Sequence, residues 1–233
     1  DVNSSLNATK RVVDLAKKHN RHVHVLHITT ADEMDYLRNH KDTATVEVLP
    51  NHLTFHAPEC YEELGTLAQQ NPPIREKYHQ DALWKAINDG TVDIVASDHA
   101  PHTIDEKSGT YPNTPSGTPG VQTLLPIMLN HAANEKLSYE RVVELMAYGP
   151  IKVHKIKNKC LISEGYDADF TVVDPKLTHI ISNSEQASKS GWTPYDGKKI
   201  KGMPIMTIIR GSVVMREGEL LDKITAKPIE FTI

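Results

Sequence analysis

The sequence has few cysteines and few aromatic residues, and it contains no long hydrophobic run. The two cysteines, Cys60 and Cys160, stand alone without CxxC spacing, which excludes a disulfide framework and a zinc knuckle. No apolar stretch approaches the roughly 20 residues that a transmembrane helix needs, and no signal-peptide pattern opens the chain. The sequence therefore predicts a cytoplasmic protein that does not cross a membrane.

The charge distribution argues against nucleic acid and anionic membrane surfaces as partners. The chain has 26 basic and 30 acidic residues, and the basic residues form no block. Binding to nucleic acid or to an anionic membrane surface is therefore not expected. With 233 residues, of which 39% are hydrophobic, the chain is long enough to bury a substantial core. A small molecule is the expected partner.

The stretch from residue 93 to residue 102 carries the clearest functional signal. A short apolar run leads to Asp98 and His102, two side chains that bind metal, transfer protons or hold an anion. In α/β barrels the loops at the carboxyl ends of the strands build the active site. We therefore predict that Asp98 is catalytic. The alternative is structural, with Asp98 capping the next turn and His102 lying at the surface.

Helices and short apolar strands alternate in the first part of the chain. Strands are predicted at residues 22–28, at 45–49 and before Asp98. Helices are predicted from Ser4 or Ser5 to about Asn20, from the capping box at residues 30–33, and at residues 79–88. This alternation predicts an α/β fold with a parallel sheet. Because three strands cannot close an eight-stranded barrel, they are interpreted as the last part of a TIM-like (β/α)₈ barrel.

Two loops and the C-terminal part of the chain carry further signals, and the character of the sequence changes from Lys159 onwards. Residues 71–75 contain a double proline that either presents Asn71 to a ligand or forms a plain turn. Residues 103–120 are polar and rich in Pro and Gly, as in a loop that covers a site. Helices are predicted at residues 121–134 and 138–148, and a hairpin with its turn at Arg210 and Gly211. We expect a partial barrel at residues 1–158 and a small C-terminal β subdomain at residues 159–233.

His27 and Asp98 are the candidate metal ligands. Both follow parallel strands, so both lie at the carboxyl edge of the predicted sheet, where one metal could bridge them. Imidazole and carboxylate suit zinc, but a catalytic zinc takes three protein ligands and keeps an open position. His24 is predicted to face away from His27, and nothing in the sequence supports His52 as a ligand. A complete site must take further ligands from elsewhere.

Five motifs give the chain a resemblance to the C-terminal half of the dihydroorotases, in the amidohydrolase superfamily. They are LHITT at 26–30, NPPIR at 71–75, SDHAPH at 97–102, EGYDAD at 164–169 and GWTPY at 191–195. The resemblance implies a metal-dependent hydrolase barrel with a binuclear zinc site. It also implies reversible cyclisation of N-carbamoyl-L-aspartate to dihydroorotate in pyrimidine biosynthesis, and a homo-oligomer.

The resemblance also implies roles for individual residues. His27 matches a zinc ligand, and Asp98 matches a zinc ligand that is also the general acid and base. Asn71 and His102 match substrate contacts, and the pair Ser116 and Gly117 matches a backbone contact to substrate. The family's other metal ligands, which include a His-x-His pair and a bridging lysine carbamate or aspartate, have no counterpart in this sequence. We therefore expect that an N-terminal half is missing and that this chain alone is inactive.

Two other functions remain open at this point. One is a different cyclic amidohydrolase, such as an allantoinase or a dihydropyrimidinase, although Asn71 and His102 favour dihydroorotase. The other is a non-catalytic relative that serves as a structural partner of aspartate carbamoyltransferase.

Overall fold

The computed structural model describes residues 1–221 and 226–232. Contacts between residues divide the chain into two compact units. The first unit contains Asp1–Leu124 and Ile181–Lys198, and the second contains Leu125–Ile180 and the chain from Lys199 onwards. The sequence instead predicted one boundary after residue 158. Within the described residues, no helix combines the length and apolar character needed to span a membrane.

The first unit contains a parallel sheet whose strands are separated by helices. Its helices are α1 (Val2–Lys18), α2 (Ala31–Arg38), α3 (Pro50–Thr54), α4 (Glu59–Leu64), α5 (Lys77–Asn88) and α6 (Ile104–Lys107), with 3₁₀ turns at Gly65–Ala68 and Asn183–Glu185. Its strands are β1 (Val23–Val25), β2 (Ala44–Val48) and β3 (Ile94–Val95). The sheet order is β1-β2-β3 with parallel pairing, as predicted. β1 and β3 are shorter than the apolar runs that predicted them, whereas β2 has the predicted length and begins one residue earlier.

Side-chain caps fix where the first two helices begin. Asp1 caps α1 by accepting a hydrogen bond from the Ser4 amide at 2.8 Å, so the prediction that Ser4 or Ser5 is the cap is wrong. Thr30 caps α2 and accepts a hydrogen bond from the Glu33 amide at 3.2 Å, which the sequence predicted. Glu33 does not reach back to the Thr30 amide as in a full capping box. Its carboxylate accepts a hydrogen bond from the Thr30 hydroxyl at 2.7 Å.

The sequence missed helix α6, which begins inside the predicted loop at residues 103–120. Thr103 and Glu106 form a reciprocal capping box, with backbone-to-side-chain distances of 2.8 and 3.2 Å. A helix of four residues shows no apolar periodicity, so only the capping pair could have revealed it. The helix ends at Lys107, whose side chain is buried.

The second unit combines short helices with an antiparallel sheet. It contains α7 (Leu124–Ala133), α8 (Tyr139–Val143), a π-helical turn (Glu144–Tyr148), α9 (Gly149–His154), β4 (Phe170–Ile180), β5 (Lys199–Ile209), β6 (Ser212–Arg216) and β7 (Glu219–Leu220). The predicted hairpin turn is confirmed, because Arg210 and Gly211 join β5 to β6. Both have positive φ, at 51° and 80°, as a type I′ turn requires.

Candidate active site

His27 and Asp98 lie just beyond the ends of β1 and β3, at the same edge of the parallel sheet. Both are half-buried, and both have left-handed backbone conformations, with φ of 40° and 43°. Non-glycine residues seldom adopt this region, and such strained residues cluster at functional sites. Among the described residues, seven other non-glycine positions also have positive φ, so this conformation agrees with the sequence prediction but does not by itself distinguish His27 and Asp98. Their sharing of one metal stays a prediction.

A buried carboxylate on β2 supports the segment that carries His27. Glu47 is only 7% exposed, and its Oε1 accepts a hydrogen bond from the His27 amide at 3.3 Å. Its Oε2 lies 3.3 Å from Nε2 of His24, whose Nδ1 lies 2.9 Å from the Thr45 hydroxyl. The prediction of short apolar strands without a polar face is therefore wrong for β2. In the sequence, the acidic Glu47 inside an otherwise apolar run was the one sign that this strand has a polar role.

His102 is held by the GWTPY segment and contacts Gly117. The indole N–H of Trp192 donates to the His102 carbonyl oxygen at 2.7 Å, and the Trp192 side chain is buried. Gly117 has φ of 141°, and a Cβ added there would lie 2.5 Å from the Ala100 carbonyl oxygen and 3.3 Å from Cδ2 of His102. Only glycine allows this close approach. The structure therefore brings together two of the predicted substrate contacts, His102 and Gly117.

Asn71 and Ser116 line one cavity of about 740 Å³ in the first unit. The cavity has eight further lining residues: Tyr61, Gly65, Thr66, Gln69, Gln70, Pro73, Tyr111 and Pro112. The amide of Gly117 donates to the Gln69 carbonyl oxygen at 3.0 Å, so the segments carrying Asn71 and Ser116 are directly bonded. His27, Asp98 and His102 do not line this cavity. The predicted site residues therefore form two groups, one at the sheet edge and one around the cavity.

A buried hydrogen-bond network connects the segments beside these residues. The Tyr195 hydroxyl donates to Oδ1 of Asn51 at 2.6 Å. The Asn51 amide donates to Oε1 of Gln70 and to the Thr118 hydroxyl, each at 2.8 Å. Gln70 precedes Asn71, and Thr118 follows Gly117, so the network orients both substrate-contact segments. Sequence reasoning missed it because polar groups spread over the chain give no local pattern.

His52 ends this network as a neutral imidazole. Nε2 of His52 lies 2.7 Å from the side-chain amide nitrogen of Gln70 and 3.0 Å from the Pro72 carbonyl oxygen. Nδ1 of His52 is buried and has no hydrogen-bond partner among the described residues. Burial lowers the pKa of His52 to about 4. The hydrogen bond with the Pro72 carbonyl raises this pKa, whereas the positive charges of His27 and Arg75 lower it further.

We expect the chain to lose about 3 kcal/mol of stability between pH 6.5 and pH 4 because of His52. In this range the unfolded chain binds a proton at His52 and the folded chain does not, so stability rises with pH. The free energy of unfolding should be measured by denaturant titration at several pH values. In His52→Asn the free energy of unfolding should change less steeply with pH. His19→Asn, a control at an exposed position, should keep the pH dependence of the wild type. An unchanged slope in His52→Asn would contradict the assignment.

The donors among the described residues do not complete a zinc site. Residues 1–221 and 226–232 contain no group of three or more His, Cys, Asp or Glu side chains placed to hold one metal ion. A catalytic zinc takes three protein ligands, so His27 and Asp98 fit only part of such a site. No catalytic step through a metal follows from these residues.

Comparison with known proteins identifies the family. The amidohydrolase family model matches residues 4–214. Two curated dihydroorotases are similar to this chain, one from Pyrococcus furiosus (38% identical; 94% of this chain, 51% of that protein) and one from Halobacterium salinarum (37%; 89% and 48%). An L-hydantoinase (dihydropyrimidinase) from Arthrobacter aurescens superimposes with a TM-score of 0.90 at 28% identity, over 95% of this chain and 51% of that one.

The chain thus spans about half the length of the curated relatives it matches. The family match nevertheless includes β1–β3, the strand ends with His27 and Asp98, and most of the second unit. This chain belongs to the amidohydrolase family.

Proposed function

We propose that the complete protein is a dihydroorotase, which interconverts N-carbamoyl-L-aspartate and dihydroorotate in pyrimidine biosynthesis. The observation that carries the proposal is the bond between Gly117 and Gln69, which joins the Asn71 and Ser116 segments around one cavity. A substrate with carboxylate and amide groups needs several polar groups fixed in one place, and this bond supports such an arrangement of Asn71 and Ser116. The names of the curated relatives agree with this substrate.

Each predicted site residue has a role in the proposed reaction. In ring opening, water adds to the ring carbonyl, the C–N bond breaks, and the ring nitrogen takes a proton. Asp98 accepts the proton from water and returns it to the nitrogen, and ring closure reverses these transfers. Asn71 and His102 bind the substrate's polar groups, and the backbone of Ser116 and Gly117 contacts the ring.

The proposal extends to the parts of the enzyme that this chain does not supply. The bound metal is a pair of zinc ions, for which His27 and Asp98 provide two ligands and the remainder of the protein provides the others. β1–β3 form the last part of a (β/α)₈ barrel, and residues 159–233 form a β subdomain. The protein is cytoplasmic and homo-oligomeric, and this chain alone has no activity.

A substrate panel tests the proposed activity. The full-length protein and this chain alone should be assayed with dihydroorotate, hydantoin, dihydrouracil and allantoin. We expect the full-length protein to prefer dihydroorotate by at least about 100-fold in kcat/KM, because its donors would pair with the substrate carboxylate. We expect no turnover by the isolated chain.

Other results would favour the remaining functions. The similarity to the hydantoinase structure supports the second candidate, a dihydropyrimidinase-like enzyme, and turnover of hydantoin or dihydrouracil without dihydroorotate would establish it. If the full-length protein turned over none of the four substrates, a non-catalytic role would replace both. Copurification with aspartate carbamoyltransferase would then be the next measurement.

A further inference from the structure

Lys107, at the end of α6, is a fully buried lysine bonded to three backbone carbonyls. Its side chain has no solvent exposure. The ammonium donates to the carbonyl oxygens of Gln69 at 2.8 Å, Pro115 at 2.9 Å and Gly117 at 3.1 Å. An ammonium group has three N–H donors, so these bonds use all of them. The neighbouring backbone thus forms a closed cage around the charge.

The three carbonyls belong to the two segments that carry predicted substrate contacts. Gln69 lies two residues before Asn71, and Pro115 directly precedes Ser116. A further bond ties α6 to the first of these segments, because the Thr66 hydroxyl donates to the Lys107 carbonyl oxygen at 2.6 Å. Lys107 therefore bonds to Gln69, which lines the cavity, and to the two neighbours of Ser116, which also lines it.

Packing alone does not explain a lysine at this position. Transfer of an ammonium from water to the interior costs several kcal/mol unless hydrogen bonds compensate, and a methionine would fill a similar volume without that cost. Burial lowers the pKa of Lys107 to about 8, so the group is still mainly charged at neutral pH. Three charge-assisted bonds fix the carbonyls more rigidly than apolar contacts would.

We propose that Lys107 is a positioning residue, whose ammonium sets the spacing between the Asn71 segment and the Ser116–Gly117 segment and thereby sets substrate affinity. Only the expected effect on substrate affinity rests on the proposed function. The structural consequence, that Lys107 holds the two segments together, is independent of which substrate the enzyme uses.

Lys107→Met in the full-length protein tests the proposal by two measurements. We expect KM for dihydroorotate to rise at least about tenfold while kcat stays within about threefold, since Lys107 does not touch the reacting atoms. We also expect hydrogen exchange at the Gly117 amide, which is bonded to Gln69, to speed up at least about tenfold. Lys85→Met, at an exposed position on α5, is the matched control and should change neither quantity.

The exchange measurement separates failure of this proposal from failure of the proposed function, because it needs no activity. Unchanged Gly117 exchange in Lys107→Met would overturn the positioning role, as would a fall in kcat with KM unchanged. If Lys107→Met does not fold, Lys107→Gln can replace it, because glutamine retains two N–H donors. We expect Lys107→Gln to raise KM and to speed up hydrogen exchange at Gly117, by smaller factors than Lys107→Met. Wild-type exchange at Gly117 in a folded Lys107→Gln would likewise overturn the proposal.

Discussion

Replacing Asp98 with asparagine should reduce kcat of the full-length protein for the proposed reaction by about 10³-fold, with little change in KM. General acid–base groups typically contribute 10²–10⁴-fold, and an amide can neither take the proton from water nor return it to the ring nitrogen. Asparagine tolerates the left-handed conformation at this position, where φ is 43°, so the local backbone should be retained. Steady-state kinetics in both directions of the reaction measure the effect.

Asp105→Asn is the matched control for Asp98→Asn. Asp105 lies seven positions further along the chain, in the first turn of α6, and it is exposed. The same chemical change there should leave kcat within about twofold, because the site residues do not contact its side chain. If Asp98→Asn kept more than a tenth of wild-type kcat, Asp98 would not be the proton-transfer residue.

Replacing Trp192 with alanine should destabilise the protein by about 3–5 kcal/mol, as is usual when a large core aromatic side chain is removed. The Trp192 side chain is 1% exposed, so the substitution leaves a large cavity in the first unit. It also removes the hydrogen bond from the indole N–H to the His102 carbonyl oxygen. Denaturant unfolding of wild type and variant measures the loss.

Trp192→Phe separates packing from the hydrogen bond. It keeps most of the ring volume and leaves the His102 carbonyl without its indole donor, which should cost about 1–3 kcal/mol and raise KM through His102. Trp84→Phe is the matched control, because the Trp84 indole donates to the Leu53 carbonyl oxygen at 3.1 Å. That change should cost similar stability without affecting KM. An unchanged KM in Trp192→Phe would argue against positioning of His102.

Local patterns in the sequence were enough to predict the parallel β–α arrangement and the hairpin. Apolar runs of strand length and the cap at Thr30 act over a few residues, so they can be read without knowing the fold. His27 and Asp98, which both have left-handed backbone conformations, fall where the strand predictions placed the ends of β1 and β3. Boundaries were less accurate, because the last residues of a strand depend on pairing with its neighbours.

By itself the sequence determined the order of helices and strands and the residue types at the strand ends, because propensity, periodicity and capping are local properties. Only the tertiary structure decided which polar groups hold the site together. Lys107 bonds to a carbonyl 38 residues away, Glu47 to an amide 20 residues away, and Tyr195 to an amide oxygen 144 residues away. Such partners meet only when the chain is folded, because an unpaired buried polar group costs free energy and most buried polar groups therefore pair wherever the fold places a partner.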